Sequence, residues 1–203
     1  MIGKKINSFF CWLCVKGIRK QFCIVCDYVR RNENEGKKNL IDEIIEILNE
    51  DNGAMIPRPA SKDDITHCQK MLVDIGLEPL PHGYIDFLKK NNGLAWNGII
   101  FYSTDQVSEV DDPHGFKLMD LYTMNDEFND RFELDEKVLL GIADDDYYTY
   151  NIETKKYEIL EFTSRELMEE FDNFEDLFFF TVGGRLGLNE REPDTDGKYE
   201  AWD

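Results

Sequence analysis

The stretch LPHGYIDFLKKNNGLAWNGIIFYS, from Leu80 to Ser103, decides the fold because its pattern indicates a helix, a turn and a strand in that order. The residue before a proline is driven out of the helical region, and proline is tolerated in a first helical turn, so a helix is predicted to begin near Pro81. Gly93 follows two asparagines and fits a left-handed residue that ends the helix. The next segment, NGIIFYS, opens with a second turn signal and is rich in β-branched and aromatic residues, which predicts a strand.

The predicted helix has one apolar face. Tyr84, Phe87 and Leu88 recur at positions i, i+3 and i+4, whereas charged side chains occupy the positions around them. We therefore expect these three side chains to pack in a core.

Further helices are predicted before and after a group of strands. KKNLIDEIIEILNED has helical spacing of its isoleucines, and Ser61 can cap a second helix. KVLLGIADD, DYYTYNIET and KYEILEF are strand-like runs separated by polar turns, which favours antiparallel pairs. SRELMEEFDNFEDLFFFTVGG predicts a closing helix with Ser164 as its cap and Gly183-Gly184 as its stop. Helices, then strands, then a helix indicate an α+β fold with a central, mainly antiparallel sheet.

The chain is strongly acidic, with a formal net charge of -19 at pH 7 over 203 residues. Residues 1–38 carry nine Lys/Arg against three Asp/Glu, so the remainder holds the whole excess of negative charge. That remainder should repel nucleic acid and attract basic partners. The alternative is that the acidity only keeps a cytosolic protein in solution.

Residues 1–38 form a basic extension with four cysteines in two C-x-x-C pairs, the local spacing found in zinc sites. On one continuous helix Cys11 and Cys23 would lie about 18 Å apart, too far to share a zinc ion, so a site needs a chain reversal near Gly17. An amphipathic or poorly ordered extension without metal is the alternative, and no other cofactor is expected. The candidate zinc ligands are Cys11, Cys14, Cys23 and Cys26.

No membrane span is predicted, because the apolar run 9–15 is far shorter than the ~20 residues that a spanning helix needs. The basic start resembles an export signal, but no alanine precedes Ala54, so the usual cleavage pattern is missing. Peripheral contact of residues 1–31 with anionic lipid stays open. Without a secreted disulfide framework, the reducing cytoplasm is the expected compartment.

Three pieces of the chain, taken in their order, resemble the SUKH superfamily, which includes the yeast glucan-synthesis regulator and many bacterial immunity proteins. They are LPHGYIDFLKKNNGLAWNGIIFY, VLLGIADDDYYTYNIETKKYEI and EEFDNFEDLFFF, and the resemblance runs from about Ser61 to Phe180. We expect a SUKH-like domain at 39–187 between the extension at 1–38 and an acidic, flexible tail at 188–203. Within the family motif, the residues expected to be mainly structural are Leu80, Pro81, Tyr84, Phe87, Leu88 and Gly93.

The resemblance implies a non-catalytic domain that binds another protein. In bacteria such domains mostly protect the producing cell by seizing the toxin domain that it delivers to neighbours, often a nuclease or another basic enzyme. The acidic charge agrees, because carboxylates can occupy a groove that is built to hold a polyanion. We therefore expect a cytoplasmic immunity protein, a monomer that binds one basic toxin. A regulatory adaptor of cell-wall or signalling proteins is the alternative.

Acidic clusters and neighbouring aromatic rings are the candidate contacts with a partner. The run 144–146 lies between two predicted strands, where a solvated hairpin turn is the alternative. Exposed rings such as Trp96 or Tyr148 could anchor a partner. The candidate partner-binding residues are Trp96, Asp111, Asp112, Asp144, Asp145, Asp146 and Tyr147.

The residues do not indicate an enzyme. His67, His82 and His114 lie in separate contexts, with no nucleophile at a diagnostic spacing. VGGRLG contains glycines but follows a predicted helix rather than a strand, which is the wrong context for a phosphate-binding loop. Asp111, Asp112 and His114 could together ligate a metal, but Pro113 and the many surrounding acids favour a surface turn.

Overall fold

The computed structural model describes residues 39–108, 117–132 and 136–188. The helices are α1 (Leu40–Leu48), α2 (Lys62–Asp74), α3 (His82–Leu88), α4 (Leu121–Phe132) and α5 (Phe174–Phe178), and α5 continues as a π-helix over Phe179–Gly183. The strands are β1 (Leu94–Trp96), β2 (Ile99–Phe101), β3 (Val107–Ser108), β4 (Lys117–Leu118), β5 (Lys137–Ile142), β6 (Asp146–Asn151), β7 (Lys156–Glu161) and β8 (Leu167–Phe171). In the three described ranges, no helix combines the length and the apolar character needed to cross a bilayer.

Six strands form one antiparallel sheet in the order β1-β2-β5-β6-β7-β8, and β3 pairs separately with β4. The three predicted strand runs are the middle of this sheet, β5, β6 and β7, and each pairs with the next. The predicted α+β class, with helices before and after a central antiparallel sheet, is confirmed.

Helices cover both faces of the sheet, and the neighbouring tyrosines of β6 show this. Consecutive side chains of a strand point to opposite faces. Tyr148 stacks on Phe101 with ring centroids 5.3 Å apart, and Phe101 also meets Phe174 of α5 at 5.5 Å. Tyr147 instead meets Phe128 of α4 at 5.1 Å. The core therefore lies mainly between the sheet and the layer that contains α1, α3 and α5, with α4 on the opposite face.

The first three helices lie where the sequence predicts them. Ser61 caps α2 through a capping box, in which its hydroxyl accepts the Asp64 N–H and the Asp64 carboxylate accepts the Ser61 N–H. Pro81 occupies the N-cap position of α3. Local spacing and caps thus suffice to predict these helices.

The turn into the sheet differs in one detail from the prediction. Gly93 has a positive φ of +97°, but α3 already ends at Leu88, so this glycine shapes the entry into β1 rather than the helix end. Asn97 and Gly98 then join β1 to β2 with φ of 46° and 78°. Two consecutive positive φ values are typical of the two-residue hairpin turn that Asn-Gly favours.

The prediction of one long closing helix capped by Ser164 is wrong. Leu167–Phe171 is strand β8, which pairs with β7, and Ser164 lies in the turn between the two strands. The helix begins only at Phe174, where the Asn173 side chain accepts the Asp176 N–H at 2.9 Å. The backbone of β8 pairs with the outer side of β7 and supplies partners for its N–H and C=O groups. This pairing outweighs the helical propensity of the segment.

Helix α4 was not predicted, and its anchor is a buried polar residue. Asn125 is fully buried, donates to the carbonyl oxygens of Leu121 and Leu139, and accepts the Leu139 N–H, each at 2.8 Å. The bonds to Leu139 lie at the register shift between Leu139 and Gly141 in β5. Asn125 therefore satisfies backbone groups that the irregular ladder leaves free.

Candidate functional site

Four carboxylates gather at one end of the sheet, and we call this group the acidic end. It consists of Asp144, Asp145 and Asp146 at the β5–β6 turn and Glu161 at the end of β7. The Asp144 side chain is 74 % exposed and Asp145 is also exposed, so both present their charge to solvent. The predicted acidic run is thus a surface turn. This position is compatible both with a contact to a partner and with a solvated hairpin turn.

The pKa values of two carboxylates in the acidic end depart from their ordinary values. Asp146 lies directly opposite Glu161 in the β6–β7 register. Partial burial, followed by the negative charge of Asp145, raises the pKa of Asp146, and Glu161 adds to the rise. Glu161 behaves in the opposite way, because the backbone N–H groups of Ser164 and Thr163 lower its pKa. The acidic end therefore favours an incoming cation.

Arg185 ties the acidic end to the neighbouring hairpin turn. Its guanidinium donates to the Asn97 carbonyl oxygen and lies 3.8 Å from the Asp144 carboxylate. A side chain at Gly98 would begin 3.0 Å from both Asp144 and Arg185. The two turns consequently form one surface at this end of the sheet.

The expectation that Trp96 and Tyr148 are exposed anchors is wrong. Trp96 is only 8 % exposed, and its indole N–H donates to the Asp51 carboxylate at 2.7 Å. Tyr148 and Tyr147 are 2 % and 7 % exposed. Trp96 lies in a strand whose three residues are all buried, and the two tyrosines fill opposite faces of β6. None of these rings offers much free area to a partner.

Exposed apolar side chains lie beside the acidic end instead. Phe162 is 39 % exposed, stacks on Tyr147 with centroids 4.8 Å apart, and donates its N–H to the Asp145 carbonyl oxygen at 2.9 Å. Leu167 is 54 % exposed and lies opposite Leu160, which in turn lies opposite Tyr147. Phe162 and Leu167 therefore share one face of the sheet, and we call this pair the apolar patch.

The apolar patch was not predicted from the sequence, although one signal for it was present. Leu160 and Phe162 alternate along the strand-like run KYEILEF, which places both on one face. Leu167 was assigned to a helix, so its place opposite Leu160 could not be seen.

The six residues of the predicted family motif lie in or against the core. Tyr84 is fully buried, and its hydroxyl lies within hydrogen-bond distance of two backbone acceptors, the Tyr102 carbonyl oxygen at 2.6 Å and the Leu140 carbonyl oxygen at 2.9 Å. This contact fixes α3 against the sheet. A side chain at Gly93 would meet the Phe101 carbonyl oxygen at 2.8 Å, so only glycine fits there. The remaining motif residues are also buried: Leu80, Pro81, Phe87 and Leu88.

Several predicted residues lie outside the described ranges. The acidic pair Asp111 and Asp112 and the nearby His114 lie in 109–116, and the four candidate zinc ligands lie in 1–38. Of the other histidines, His67 is exposed on α2 and His82 begins α3. Within the described part of the chain, no three His, Cys, Asp or Glu side chains are grouped as ligands of a metal ion would be.

Comparison with known protein families gives a match that covers most of the described domain. The model of the SMI1 / KNR4 family (SUKH-1) matches residues 59–179, which is more than half of the chain. This range is nearly the one over which the sequence resembles the SUKH superfamily, and it contains α2 to α5 together with the whole six-stranded sheet. No curated protein matches the chain at a significant level.

Proposed function

Because the chain belongs to the SMI1 / KNR4 family (SUKH-1), we propose that it acts by binding another protein, as an immunity protein that neutralises a cognate toxin. The proposed complex contains one copy of each protein and forms in the cytoplasm of the cell that makes both. No chemical step is assigned to the chain, since its role is to occupy the toxin.

The observation that carries this proposal is the contact between the acidic end and the apolar patch. Protein interfaces combine a buried apolar centre with a charged or polar rim, and aromatic side chains supply much of their binding energy. Phe162 offers a ring that is already held in place by Tyr147, so binding costs little side-chain entropy. Asp144 and Asp145 lie next to it and can form the rim.

A basic toxin fits the charge of this surface. An enzyme that acts on nucleic acid must present Lys and Arg to phosphate groups, and carboxylates of an inhibitor can occupy the same positions. Complementary charge also speeds the encounter of the two proteins. The charge of the acidic end therefore favours a toxin with a basic groove over one with an apolar cleft.

Capture and protection together test the proposal. Tagged protein is retained from its native cells at low and then moderate salt, and the recovered proteins are identified by mass spectrometry. The toxin domain is then expressed in a host with and without this chain. The proposal predicts recovery of a basic domain from a larger secreted protein, and growth only when both are present. Recovery of cell-wall or signalling proteins with no toxin among them, or death of the host despite co-expression, would contradict it.

A further inference from the structure

A small cleft opens to solvent between α2 and the start of α4, and none of the residues that line it belongs to the acidic end. Its volume is ≈ 240 Å³, and its wall includes Cys68 of α2, Thr104 and Asp105 after β2, and Asp120 just before α4. Pockets that hold drug-sized ligands and cofactors occupy about 300–1,000 Å³, so this cleft suits something the size of one side chain.

Thr104 carries an unmet hydrogen-bonding group in the wall of this cleft. Its side chain is buried, with the residue 4 % exposed, and its backbone N–H donates to the Asn92 side-chain oxygen at 2.9 Å. Its hydroxyl, however, has no partner among the described residues. A buried polar group without a partner costs about 1–3 kcal/mol, and a donor that enters the cleft beside Thr104 could supply the missing bond.

The two carboxylates of the cleft are placed to receive a cation. Asp120 is held by Thr123, whose N–H and hydroxyl donate to its two oxygens at 2.8 and 2.9 Å. Asp105 is exposed at the mouth. Burial, with the nearby charges of Asp120 and Asp105, raises the pKa of the Cys68 thiol to about 12. The thiol therefore stays neutral, and the negative charge of the cleft comes from the two carboxylates alone.

We propose that this cleft takes the guanidinium group of an arginine side chain supplied by the protein partner, an inference that rests on the proposed protein-binding function. Guanidinium presents five N–H donors in a planar fork, which suits a wall that carries one hydroxyl and two carboxylates. A lysine ammonium is a compact point charge and matches three separated acceptors less well. Charge-assisted hydrogen bonds of this kind are about twice as strong as neutral ones.

A model ligand tests the assignment without the partner. Amide chemical shifts of the full-length protein are followed during titration with N-acetylarginine amide, N-acetyllysine amide and N-acetylcitrulline amide, the last being a neutral isostere of arginine. The proposal predicts saturable shifts at Thr104, Asp105 and Tyr122 with the arginine probe, weaker binding of the lysine probe, and none with citrulline.

Variants of the cleft make the test specific. Thr104→Val removes only the hydroxyl and Asp105→Asn removes only a charge, and each should weaken arginine binding at least tenfold. Asp74→Asn, which removes an exposed charge at the far end of α2, should leave it unchanged. Saturable binding of citrulline at the level of arginine, no saturable shift at these amides, or equal binding by all variants would overturn the assignment.

The test of the arginine site can fail while the proposed protein-binding function holds, and the reverse is also true. A captured partner that binds the Thr104→Val and Asp105→Asn variants as tightly as the wild type would refute the arginine site and leave protein binding intact. Conversely, failure to capture a toxin would leave a positive arginine titration standing.

Discussion

Asp146 and Glu161 lie directly opposite each other on β6 and β7, so two carboxylates share one cross-strand position at the acidic end. Like charges in this arrangement destabilise an antiparallel pair. The protein tolerates that cost at the surface where we propose it meets its partner, and a cationic side chain from the partner would relieve it.

Removal of one of these charges should stabilise the free protein. The pKa of Asp146 is raised above its ordinary value of 3.8, so the folded state holds this proton more tightly than the unfolded state. The destabilisation is therefore absent below pH 3.8 and develops as pH rises through the raised pKa. Asp146→Asn should increase the free energy of unfolding at neutral pH by a few tenths of a kcal/mol, because the site is partly exposed.

Chemical denaturation at two pH values checks this prediction. The gain from Asp146→Asn should be present at neutral pH and vanish below pH 3.8. Asp126→Asn, at an exposed position on α4, is the control and should change little at either pH. A gain that persists at low pH would show that the charge of Asp146 is not its cause.

Asn125 should be essential to the attachment of α4. Asn125→Ala leaves the Leu139 N–H without its partner in a buried place, at an expected cost of about 1–3 kcal/mol in the free energy of unfolding. Asp126→Ala changes the adjacent exposed residue of the same helix and should cost little. Equal unfolding midpoints for the two variants would contradict the role given to Asn125.

Gly141 is predicted to resist any side chain. A Cβ atom there would lie 2.3 Å from the Ile100 carbonyl oxygen on β2, and backbone cannot yield as a side chain can. Gly141→Ala should therefore lower the free energy of unfolding by about 1–3 kcal/mol or more. Gly53→Ala is the matched control, since its Cβ would meet only the end of the Asp51 side chain at 3.2 Å. A thermal melt of both variants distinguishes them.

The zinc prediction for Cys11, Cys14, Cys23 and Cys26 is tested by metal analysis. Purified full-length protein should hold one zinc ion per chain, and the quadruple Cys→Ser variant should hold none. Wild-type protein without zinc after purification in zinc-containing buffer would refute the site.

The helices and strands that were predicted correctly are those whose pattern is local. Ser61 caps α2 within its own turn, and the alternating runs of β5 to β7 are separated by clear turn residues. Strand β8 was mistaken for a helix because its identity depends on pairing with β7, and its side chains are mostly exposed. Helix α4 was missed because it is short of strong helix formers and its buried face includes Asn125.

The candidate site shows the same division between local and distant causes. The acidic turn at 144–146 follows from its place between two strands. The burial of Trp96 depends on Asp51, 45 residues earlier in the chain, which accepts the indole N–H. The hydrogen bond from the Gly53 N–H, followed by this bond from Trp96, lowers the pKa of Asp51, so the carboxylate stays charged and available to Trp96. No spacing within the sequence indicates that Trp96 and Asp51 are partners. The burial of Trp96 therefore could not be predicted from the sequence.

The central claim is that the acidic end and the apolar patch form the surface that binds the partner. Binding kinetics of the purified complex test it most directly. The site variant Asp144→Asn/Asp145→Asn/Phe162→Ala removes two exposed charges and one exposed ring. The control variant Val73→Ala/Asp74→Asn/Glu153→Gln removes two exposed charges and one exposed apolar side chain elsewhere, since Val73 is 50 % exposed on α2 and Glu153 is exposed in the β6–β7 turn.

Association and dissociation rates are measured for both variants at low and moderate salt. The site variant should associate more slowly and with a weaker dependence on salt, because steering by the carboxylates is lost. It should also dissociate faster, because Phe162 no longer packs at the interface. The control should behave as the wild type does. Equal rates and equal salt dependence for the site variant and the control would contradict the claim.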